Sequence, residues 1–205
     1  MKTISLAGMD GAGKSTQCGI LAKRLRDSGF HVETVHILTK GHTVSSNIQE
    51  KPLFRIVHRK LKKLPKFGFK GSIKLAVGLI SFFVDAWITN IKHKLKYRGK
   101  ILIYDRFYYD QFVIFATAFL KTPWWIIKLL RFLPKSNLTI IMEIPPKIAN
   151  MRKPEDSVEK LTTFLKFYRL LASMLGVEII DGTQDKMVVA QHIYERCERL
   201  IRKSS

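Results

Sequence analysis

A short glycine-rich motif near the start of the chain places the strongest constraint on its fold. Residues Gly8 to Thr16 read Gly-Met-Asp-Gly-Ala-Gly-Lys-Ser-Thr, which has the spacing G-x-x-x-x-G-K-[ST]. A strand-like run, Lys2 to Ala7, comes before the motif, and Lys14 to Ser28 has the apolar spacing of a helix. A strand, a glycine loop and a helix in this order are typical of the phosphate-binding P-loop. The motif therefore predicts that the chain binds the phosphates of a nucleoside triphosphate.

The residue types of the motif account for that chemistry. Glycines let the backbone curve so that several N–H groups point at one phosphate, and the following helix adds the positive end of its dipole. Lys14 is predicted to reach the outer phosphates as a catalytic cation, and the Ser15 hydroxyl to bind Mg²⁺. The residues of the motif predicted to bind the nucleotide are Gly8, Asp10, Gly11, Ala12, Gly13, Lys14, Ser15 and Thr16.

Strand-like and helical segments alternate along the chain. The predicted strands are Lys2 to Ala7, His31 to Ile37, Ile101 to Asp105, Leu138 to Ile144 and Val177 to Ile180. This alternation predicts an α/β fold with a five-stranded parallel sheet and helices on both faces. The 205 residues are expected to form a single domain, residues 1–205. Because ligands bind at the carboxyl ends of parallel strands, the P-loop, Asp105-Arg106 and Asp181-Gly182-Thr183 are predicted to share one rim.

Asp105 and Arg106 directly follow a predicted buried strand. A carboxylate at this point organises Mg²⁺ in P-loop enzymes, so Asp105 is predicted to be a metal-binding and catalytic residue beside Ser15. Arg106 is predicted to be catalytic and to hold a second phosphate or a carboxylate through two donors. The alternative is a turn-capping Asp beside a surface Arg. Asp10 is predicted to contact the acceptor substrate, with capping of the loop's own N–H groups as the alternative.

Two further loops are predicted to contribute to the site. Arg152 and Lys153 lie in a short lid near residues 150–157, where a cation would close over the transferring phosphate. Arg152 is predicted to be the catalytic lid residue and Lys153 is the alternative cation, while a solvated charge cluster explains both equally well. Gly182 and Thr183 are predicted to cradle the base of the nucleotide, with an ordinary turn capped by Thr183 as the alternative.

The chain carries a formal net charge of +20, which indicates an anionic partner. Much of the charge lies in a basic helical stretch, at about residues 51–98, which has no acidic residue from Lys51 to Val84. An anionic membrane surface or a nucleic acid is its predicted partner, and a solvated helical face is the alternative.

Cys18 and Cys197 have no metal-binding spacing and are predicted to be packing residues. A cytoplasmic location is expected, because no signal peptide or spanning segment is evident, with attachment at a membrane surface as the alternative.

Taken together, the motifs resemble those of the thymidylate kinases and their relatives. The resemblance is carried by Gly8 to Gln17, by Asp105-Arg106-Phe107, by Leu138 to Pro146 with its double proline, and by Ile180 to Gln184. It implies the fold of the nucleoside monophosphate kinases, ATP as the phosphate donor, Mg²⁺ as the metal, and a homodimer. It also implies that Asp10 contacts the sugar of the acceptor, that Arg106 contacts its phosphate, and that Gly182 to Gln184 lie near the adenine. Since Gly11 stands where some members have Arg, the basic lid is expected to supply that cation.

The acceptor half of the family pattern is absent from this chain. Leu38-Thr39-Lys40-Gly41 stands where the family has Arg-Glu-Pro-Gly, and Asp85-Ala86-Trp87 stands where an Arg is expected on the long helix. The Ser and the Ala-Tyr-Gln that follow Asp-Arg-aromatic in the family are also missing. Lys40 and Trp87 are candidate substitutes for the missing contacts.

Three functions are consistent with these patterns. The first is transfer of the γ-phosphate of Mg-ATP to a nucleoside monophosphate, with dTMP as the first candidate, by positioning and charge neutralisation. The second is a related kinase that phosphorylates a sugar or lipid hydroxyl at a membrane surface, with Asp105 or Asp10 as the base. The third is a non-enzymatic, nucleotide-regulated protein that binds nucleic acid or membranes, which would not need the set Lys14, Ser15, Asp105 and Arg106.

Overall fold

A computed structural model describes residues 1–37, 48–50, 69–119 and 128–202 of the chain. Lys40 and residues 51–68 of the predicted basic stretch lie outside the described residues. The helices are α1 Lys14–Asp27, α2 Phe69–Lys96, α3 Tyr108–Phe119, α4 Pro146–Arg152, α5 Val158–Leu175 and α6 Lys186–Arg202, with a 3₁₀ turn at Leu129–Phe132. The strands are β1 Lys2–Gly8, β2 Val32–Ile37, β3 Ile48–Glu50, β4 Ile101–Asp105, β5 Leu138–Glu143 and β6 Ile179–Asp181.

The described strands form one parallel sheet in the order β3-β2-β4-β1-β5-β6. The predicted α/β fold with a parallel sheet is confirmed, and every predicted strand is present. The sheet has one strand more than expected, because the sequence patterns did not identify β3 as a strand. β3 has three residues and pairs with the end of β2, where Val35 lies opposite Ile48. A strand this short has no periodicity to detect, so its pairing with β2 decides its conformation.

The connections leave the centre of the sheet in opposite directions. The connection from β1 to β2 through α1 runs towards the β3 edge of the sheet. The connections from β4 to β5 through α3 and from β5 to β6 through α5 run towards the β6 edge. Because such crossovers are right-handed, α1 and α3 lie on opposite faces. The packing agrees, since α1 contacts α6 and α3 contacts α5. The carboxyl end of β1 is therefore a topological switch point, which is where ligands bind in open α/β sheets.

The two central strands are buried on both faces. Every residue of β4 is buried, and so is every residue of β1 after Lys2. Their nearly continuous apolar sequences follow from the helices that cover both sides of the sheet. Leu6 of β1 lies opposite Asp105 of β4, so the end of β4 is fixed beside the P-loop.

The long helix α2 precedes β4 and ends shortly before Gly99. Gly99 has a φ of 81°, and Gly176, with a φ of 62°, ends α5 in the same left-handed conformation. At its start, α5 is capped by Ser157, whose side chain accepts a hydrogen bond from the Lys160 N–H. Within the described ranges, no helix has both the length and the apolar character needed to cross a membrane.

Candidate active site

The P-loop connects the carboxyl end of β1 to the first turn of α1. Gly8, Gly11 and Gly13 have φ angles of 142°, 83° and 88°, which residues with a side chain rarely adopt. A Cβ atom at Gly8 would lie 2.3 Å from the backbone oxygen of Met142, and one at Gly11 would lie 2.8 Å from that of Ala149. Gly13 stands at the N-cap and offers no side chain to the first N–H groups of α1. Those N–H groups therefore point towards the loop, where a phosphate can accept their hydrogen bonds.

Lys14 is the buried cation of this loop. Its side chain is 4% exposed, and Nζ donates hydrogen bonds to the backbone oxygens of Gly8 at 2.7 Å and Met9 at 2.8 Å. Burial lowers the pKa of Lys14, and the nearby carboxylates of Asp110 and Asp105 partly oppose that effect. Two backbone oxygens at the start of the P-loop therefore fix the position of the ammonium group.

Asp105 ends β4 next to the P-loop and is buried. Its Oδ2 atom lies 3.4 Å from Nδ1 of His36, which comes from the neighbouring strand β2. Burial raises the pKa of Asp105, but contacts with His36 and Ser15 and the charge of Lys14 outweigh it, so the pKa lies below its usual value. The carboxyl group of Asp105 is therefore ionised at neutral pH.

Ser15 and Asp105 are the two candidate ligands for Mg²⁺. Oδ1 of Asp105 is buried without a hydrogen-bond partner among the described residues, which is a costly arrangement for a carboxylate. Ser15 is exposed at the start of α1. The described ranges contain no group of three or more His, Cys, Asp or Glu side chains that could hold a metal ion. The pair fits Mg²⁺ held jointly by protein oxygens and nucleotide phosphates, which is the usual arrangement for this ion.

Asp10 lies at the centre of a cluster of cations. Arg106 forms an ion pair with its Oδ1 atom, and Nζ of Lys153 lies 3.4 Å from its Oδ2 atom. Nζ of Lys14 lies 3.9 Å from the same Oδ1 atom that pairs with Arg106. Among the described residues other than glycine, Arg106 alone has a positive φ, 72°, a conformation that persists only where the surroundings enforce it. Three cations therefore converge on one carboxylate, and one of them, Lys153, also lies 3.2 Å from the carboxylate of Glu155.

The predicted lid begins at the end of α4. Arg152, the last residue of α4, is exposed, and its Nη1 donates to the backbone oxygens of Gly11 at 3.3 Å and Gly182 at 3.4 Å. Lys153 turns the other way and reaches Asp10. The two cations of the lid therefore lie on different sides of the P-loop and are not interchangeable.

Gly182 and Thr183 form the turn after β6. A Cβ atom at Gly182 would lie 3.1 Å from the backbone oxygen of Ala12, so the turn packs closely on the P-loop. Both the N–H and the hydroxyl of Thr183 donate to the Asp181 carboxylate, at 2.8 and 2.7 Å. The N-terminus of α6 is capped by Asp185, which accepts from two N–H groups at 2.7 and 3.4 Å. The alternative in which Thr183 caps the helix is therefore wrong.

Two clefts meet at the P-loop. The first cleft is lined by Gly8, Met9, Asp10, Ser15, His36, Arg106, Ile114, Lys153, Glu155, Asp156, Lys160, Phe164 and Tyr168. The second cleft is lined by Gly11, Ala12, Gly13, Thr16, Gln17, Met142, Arg152, Gly182, Gln184, Lys186 and Val189. Different residues of one loop therefore face two separate spaces. Arg106 and Lys153 belong to the first cleft, and Arg152 and Gly182 belong to the second.

Asp110 is a fully buried carboxylate that the sequence patterns did not single out. Its Oδ1 atom accepts hydrogen bonds from the Gly8 N–H at 3.0 Å and the Tyr168 hydroxyl at 2.7 Å, and its Oδ2 atom accepts from the Phe107 N–H at 3.0 Å. Burial raises the pKa of Tyr168, and Asp110 raises it further, so the phenol remains a donor. Asp110 thus joins the start of the P-loop, the turn after β4 and α5. An acid in the first turn of a helix is too common in sequences to indicate this role.

Similar proteins are known over nearly the whole length of the chain. A protein of Saccharolobus solfataricus named probable thymidylate kinase 1 is 22% identical over 214 residues, which covers 99% of this chain and 98% of the relative. A probable thymidylate kinase of Thermococcus kodakarensis is 27% identical and covers 97% and 98%. One of Methanosphaera stadtmanae is 26% identical and covers 93% and 94%. No protein-family model matches the chain.

The chain is a thymidylate kinase-like P-loop kinase. In this kinase the candidate substitute Trp87 does not line the described part of the first cleft. It is 47% exposed, and its indole Nε1 donates to the backbone oxygen of Phe132 at 3.0 Å. Lys40, the other candidate, lies outside the described residues.

The kinase lines its first cleft with side chains that the sequence patterns did not identify. His36 occupies an ordinary alternating strand position, and Phe164 and Lys160 follow the helical spacing of α5. Side chains at such positions usually lie in the core of a domain or on its surface, so the sequence does not mark them as site residues. Only the packing of β2 and α5 around the P-loop brings them to one cleft.

Proposed function

We propose that this kinase transfers the γ-phosphate of Mg-ATP to a nucleoside monophosphate, with dTMP as the first candidate acceptor. The observation that carries the proposal is the position of the P-loop between two clefts. A phosphoryl group passes between two oxygens that lie roughly in line, so donor and acceptor must meet end to end. Two clefts that share one phosphate-binding loop meet this requirement, with the nucleotide in the second cleft and the acceptor in the first.

On the donor side, the N–H groups of the P-loop bind the phosphates and Lys14 offsets the charge of the transferring group. Ser15 and Asp105 would hold Mg²⁺, which when bound neutralises part of the charge on the phosphate oxygens. Arg152 lies beside Gly11 at the mouth of the second cleft and supplies a cation there. Gly182 and Thr183 contribute the turn against which the base rests.

On the acceptor side, Arg106 and Lys153 bind the acceptor phosphate and Asp10 contacts a sugar hydroxyl. In the structure both cations pair with Asp10, so an arriving phosphate dianion would meet side chains that already converge. The attacking phosphate oxygen is ionised at neutral pH and needs no base. Catalysis then rests on positioning and on neutralisation of charge.

A hydroxyl acceptor is the second candidate, and the buried carboxylate of Asp105 is the observation that favours it. A hydroxyl group must lose a proton as it attacks, and an ionised carboxylate with an unpartnered oxygen is a suitable base in geometry. The lowered pKa of Asp105 makes it a weak base, however. The monophosphate acceptor therefore ranks first.

The test is transfer of labelled γ-phosphate from Mg-ATP to dTMP, other nucleoside monophosphates, sugars and isoprenoid lipids. We expect transfer to at least one monophosphate, and we expect Lys14→Ala to lower kcat about 10²–10³-fold. The matched control is Lys23→Ala on the exposed side of α1, which should leave the rate unchanged. Transfer to hydroxyl acceptors alone would favour the second candidate. Full activity in folded Lys14→Ala would refute the role of the P-loop.

A further inference from the structure

His36 is a buried histidine in a strand of the parallel sheet, where apolar residues are usual. Its side chain is 5% exposed, and Nδ1 of the ring is buried without a hydrogen-bond partner among the described residues. An apolar side chain would fill the same strand position without burying a polar nitrogen, which is costly. The histidine therefore needs an explanation other than packing.

The register of the sheet sets His36 beside Asp105. The two residues lie opposite each other in the parallel pair of β2 and β4, so their side chains leave the same face of the sheet. Nδ1 of His36 is 3.4 Å from Oδ2 of Asp105, somewhat longer than the about 2.7–2.9 Å of a hydrogen bond to a carboxylate. An ionised carboxylate only accepts hydrogen bonds, so the nitrogen that faces it must carry the hydrogen. A small movement of either side chain would complete the bond.

The two oxygens of Asp105 have different surroundings. Oδ2 faces His36, whereas Oδ1 is buried and has no hydrogen-bond partner among the described residues. When a donor holds one oxygen of a carboxylate, the plane of the group is fixed and the other oxygen takes a defined direction. The arrangement therefore suits a carboxylate that is held on one side and binds a cation on the other.

His36 lies between the metal end of the site and the first cleft. Its side chain lines that cleft together with Ser15, the other candidate ligand for Mg²⁺. Ser15 comes from α1, Asp105 from β4 and His36 from β2, so three elements bring these side chains to one place.

We propose that His36 is a positioning residue for Mg²⁺, which holds Oδ2 of Asp105 through Nδ1 so that Oδ1 remains available to the ion. His36 acts through Asp105 in this role and binds neither the ion nor the phosphates. The inference rests on the donor half of the proposed function, because it requires a nucleotide with Mg²⁺ but no particular acceptor. Removing such a hydrogen-bonded neighbour of a metal ligand typically weakens metal binding about 10–100-fold.

Two other roles for His36 predict different results. A packing residue would contribute to stability alone. A residue that binds the acceptor would act through Nε2, because Nδ1 faces Asp105. The two nitrogens can be tested separately, since the amide nitrogen of Asn can take the position of Nδ1 and that of Gln the position of Nε2.

The test is calorimetric titration of a non-hydrolysable ATP analogue into the full chain, once with Mg²⁺ and once with EDTA. For the wild type, we expect Mg²⁺ to tighten binding. His36→Leu should weaken binding of the Mg²⁺ complex about tenfold and leave the affinity in EDTA unchanged. His36→Asn should keep most of the wild-type response to Mg²⁺, whereas His36→Gln should behave like His36→Leu.

The matched control is His93→Leu, which removes another buried imidazole beside β4. Nδ1 of His93 lies 2.9 Å from the hydroxyl of Tyr104, the residue before Asp105. Successive side chains of a strand point to opposite faces, so this imidazole lies on the other side of the sheet. The control should lose stability in thermal unfolding but respond to Mg²⁺ like the wild type.

Three results would overturn the proposal. The first is a folded His36→Leu variant with the wild-type response to Mg²⁺, which would make His36 a packing residue. The second is recovery in His36→Gln but not in His36→Asn, which would assign the role to Nε2. The third is an equal loss of affinity with Mg²⁺ and with EDTA, which would mean that His36 supports the phosphate-binding loop itself.

The same titrations separate this proposal from the proposed function. If the wild type bound the analogue no better with Mg²⁺ than with EDTA, the donor half of the proposed function would fail, and the role of His36 with it. A normal response of the wild type combined with unchanged variants would refute the role of His36 alone. If His36→Leu does not fold, the comparison of His36→Asn with His36→Gln decides between the two nitrogens.

Discussion

Replacing Asp110 by alanine should destabilise the fold and loosen the P-loop at the same time. The carboxylate of Asp110 is 0% exposed and accepts three hydrogen bonds, from the Gly8 N–H, the Phe107 N–H and the Tyr168 hydroxyl. These donors belong to the P-loop, the turn after β4 and α5, so one side chain connects three parts of the site. Alanine would leave all three donors buried without their acceptor.

The expected magnitude follows from the number and type of these bonds. A buried donor left without a partner costs about 1–3 kcal/mol, and water entering the space of the lost carboxylate would restore part of this. We therefore expect Asp110→Ala to lower the free energy of unfolding by about 3–5 kcal/mol. Tyr168→Phe removes only one donor and should cost about 1.5 kcal/mol. Asp110→Asn keeps one acceptor oxygen and should fall between the two.

Urea unfolding of the wild type, the single variants and the Asp110→Ala, Tyr168→Phe double variant would measure these costs. The control is Asp27→Ala at the exposed end of α1, which should change stability by less than about 0.5 kcal/mol. If the two residues interact as the geometry requires, the double variant should be more stable than the sum of the single losses predicts, by about 0.5–3 kcal/mol.

Two results would refute this reasoning. One is a decrease in the free energy of unfolding of less than about 1 kcal/mol for Asp110→Ala, because three buried donors without an acceptor should destabilise the fold by more than that. The other is strict additivity of the Asp110 and Tyr168 variants, which would mean that their side chains do not interact in solution. Nucleotide affinity gives a second readout, since we expect the folded Asp110→Asn variant to bind ATP more weakly while Asp27→Ala does not.

Two further predictions concern the core around the P-loop. Gly8→Ala should lower the free energy of unfolding by more than about 3 kcal/mol or prevent folding, because the new Cβ would lie 2.3 Å from the Met142 backbone oxygen. The control is Gly19→Ala in α1, where a Cβ meets no atom within 4 Å. This variant should stabilise the protein by about 0.5–1 kcal/mol in urea unfolding. Cys18 and Cys197 should resist a thiol reagent in the native protein at mildly alkaline pH and react after unfolding, because burial raises the pKa of Cys18 well above its usual value and that of Cys197 to about 12. Rapid reaction of either thiol in the folded protein would contradict its burial.

The parts of the molecule that could be predicted from the sequence are those that depend on near neighbours along the chain. Strand and helix periods gave the alternation of elements, and the glycine spacing gave the loop between β1 and α1. Asp105 was assigned to the rim of the sheet because parallel strands place their carboxyl ends at one edge. Each of these inferences needs only local spacing and one rule of topology.

Other features depend on contacts between distant segments. β3 forms because it pairs with β2, and its three residues are too few to show the alternation that predicts a strand. Arg152 and Lys153 are adjacent in sequence, yet the end of α4 directs one to Gly11 and the other to Asp10. Their division between the two clefts is a consequence of how α4 is seated on the P-loop.

The sequence by itself determined the fold class, the phosphate-binding loop and the identity of the charged residues around it, because those follow from local periodicity and residue chemistry. Only the tertiary structure decided that Asp110 supports the P-loop, that His36 approaches Asp105, and that α2 carries a second apolar side facing outwards. An apolar stripe on a helix has the same sequence pattern whether it is covered or exposed. A buried carboxylate cannot be told from a surface carboxylate in sequence, because its hydrogen-bond donors come from other segments. The physical reason is that burial and hydrogen bonding depend on contacts between segments distant in sequence, and residue types with local spacing do not specify those contacts.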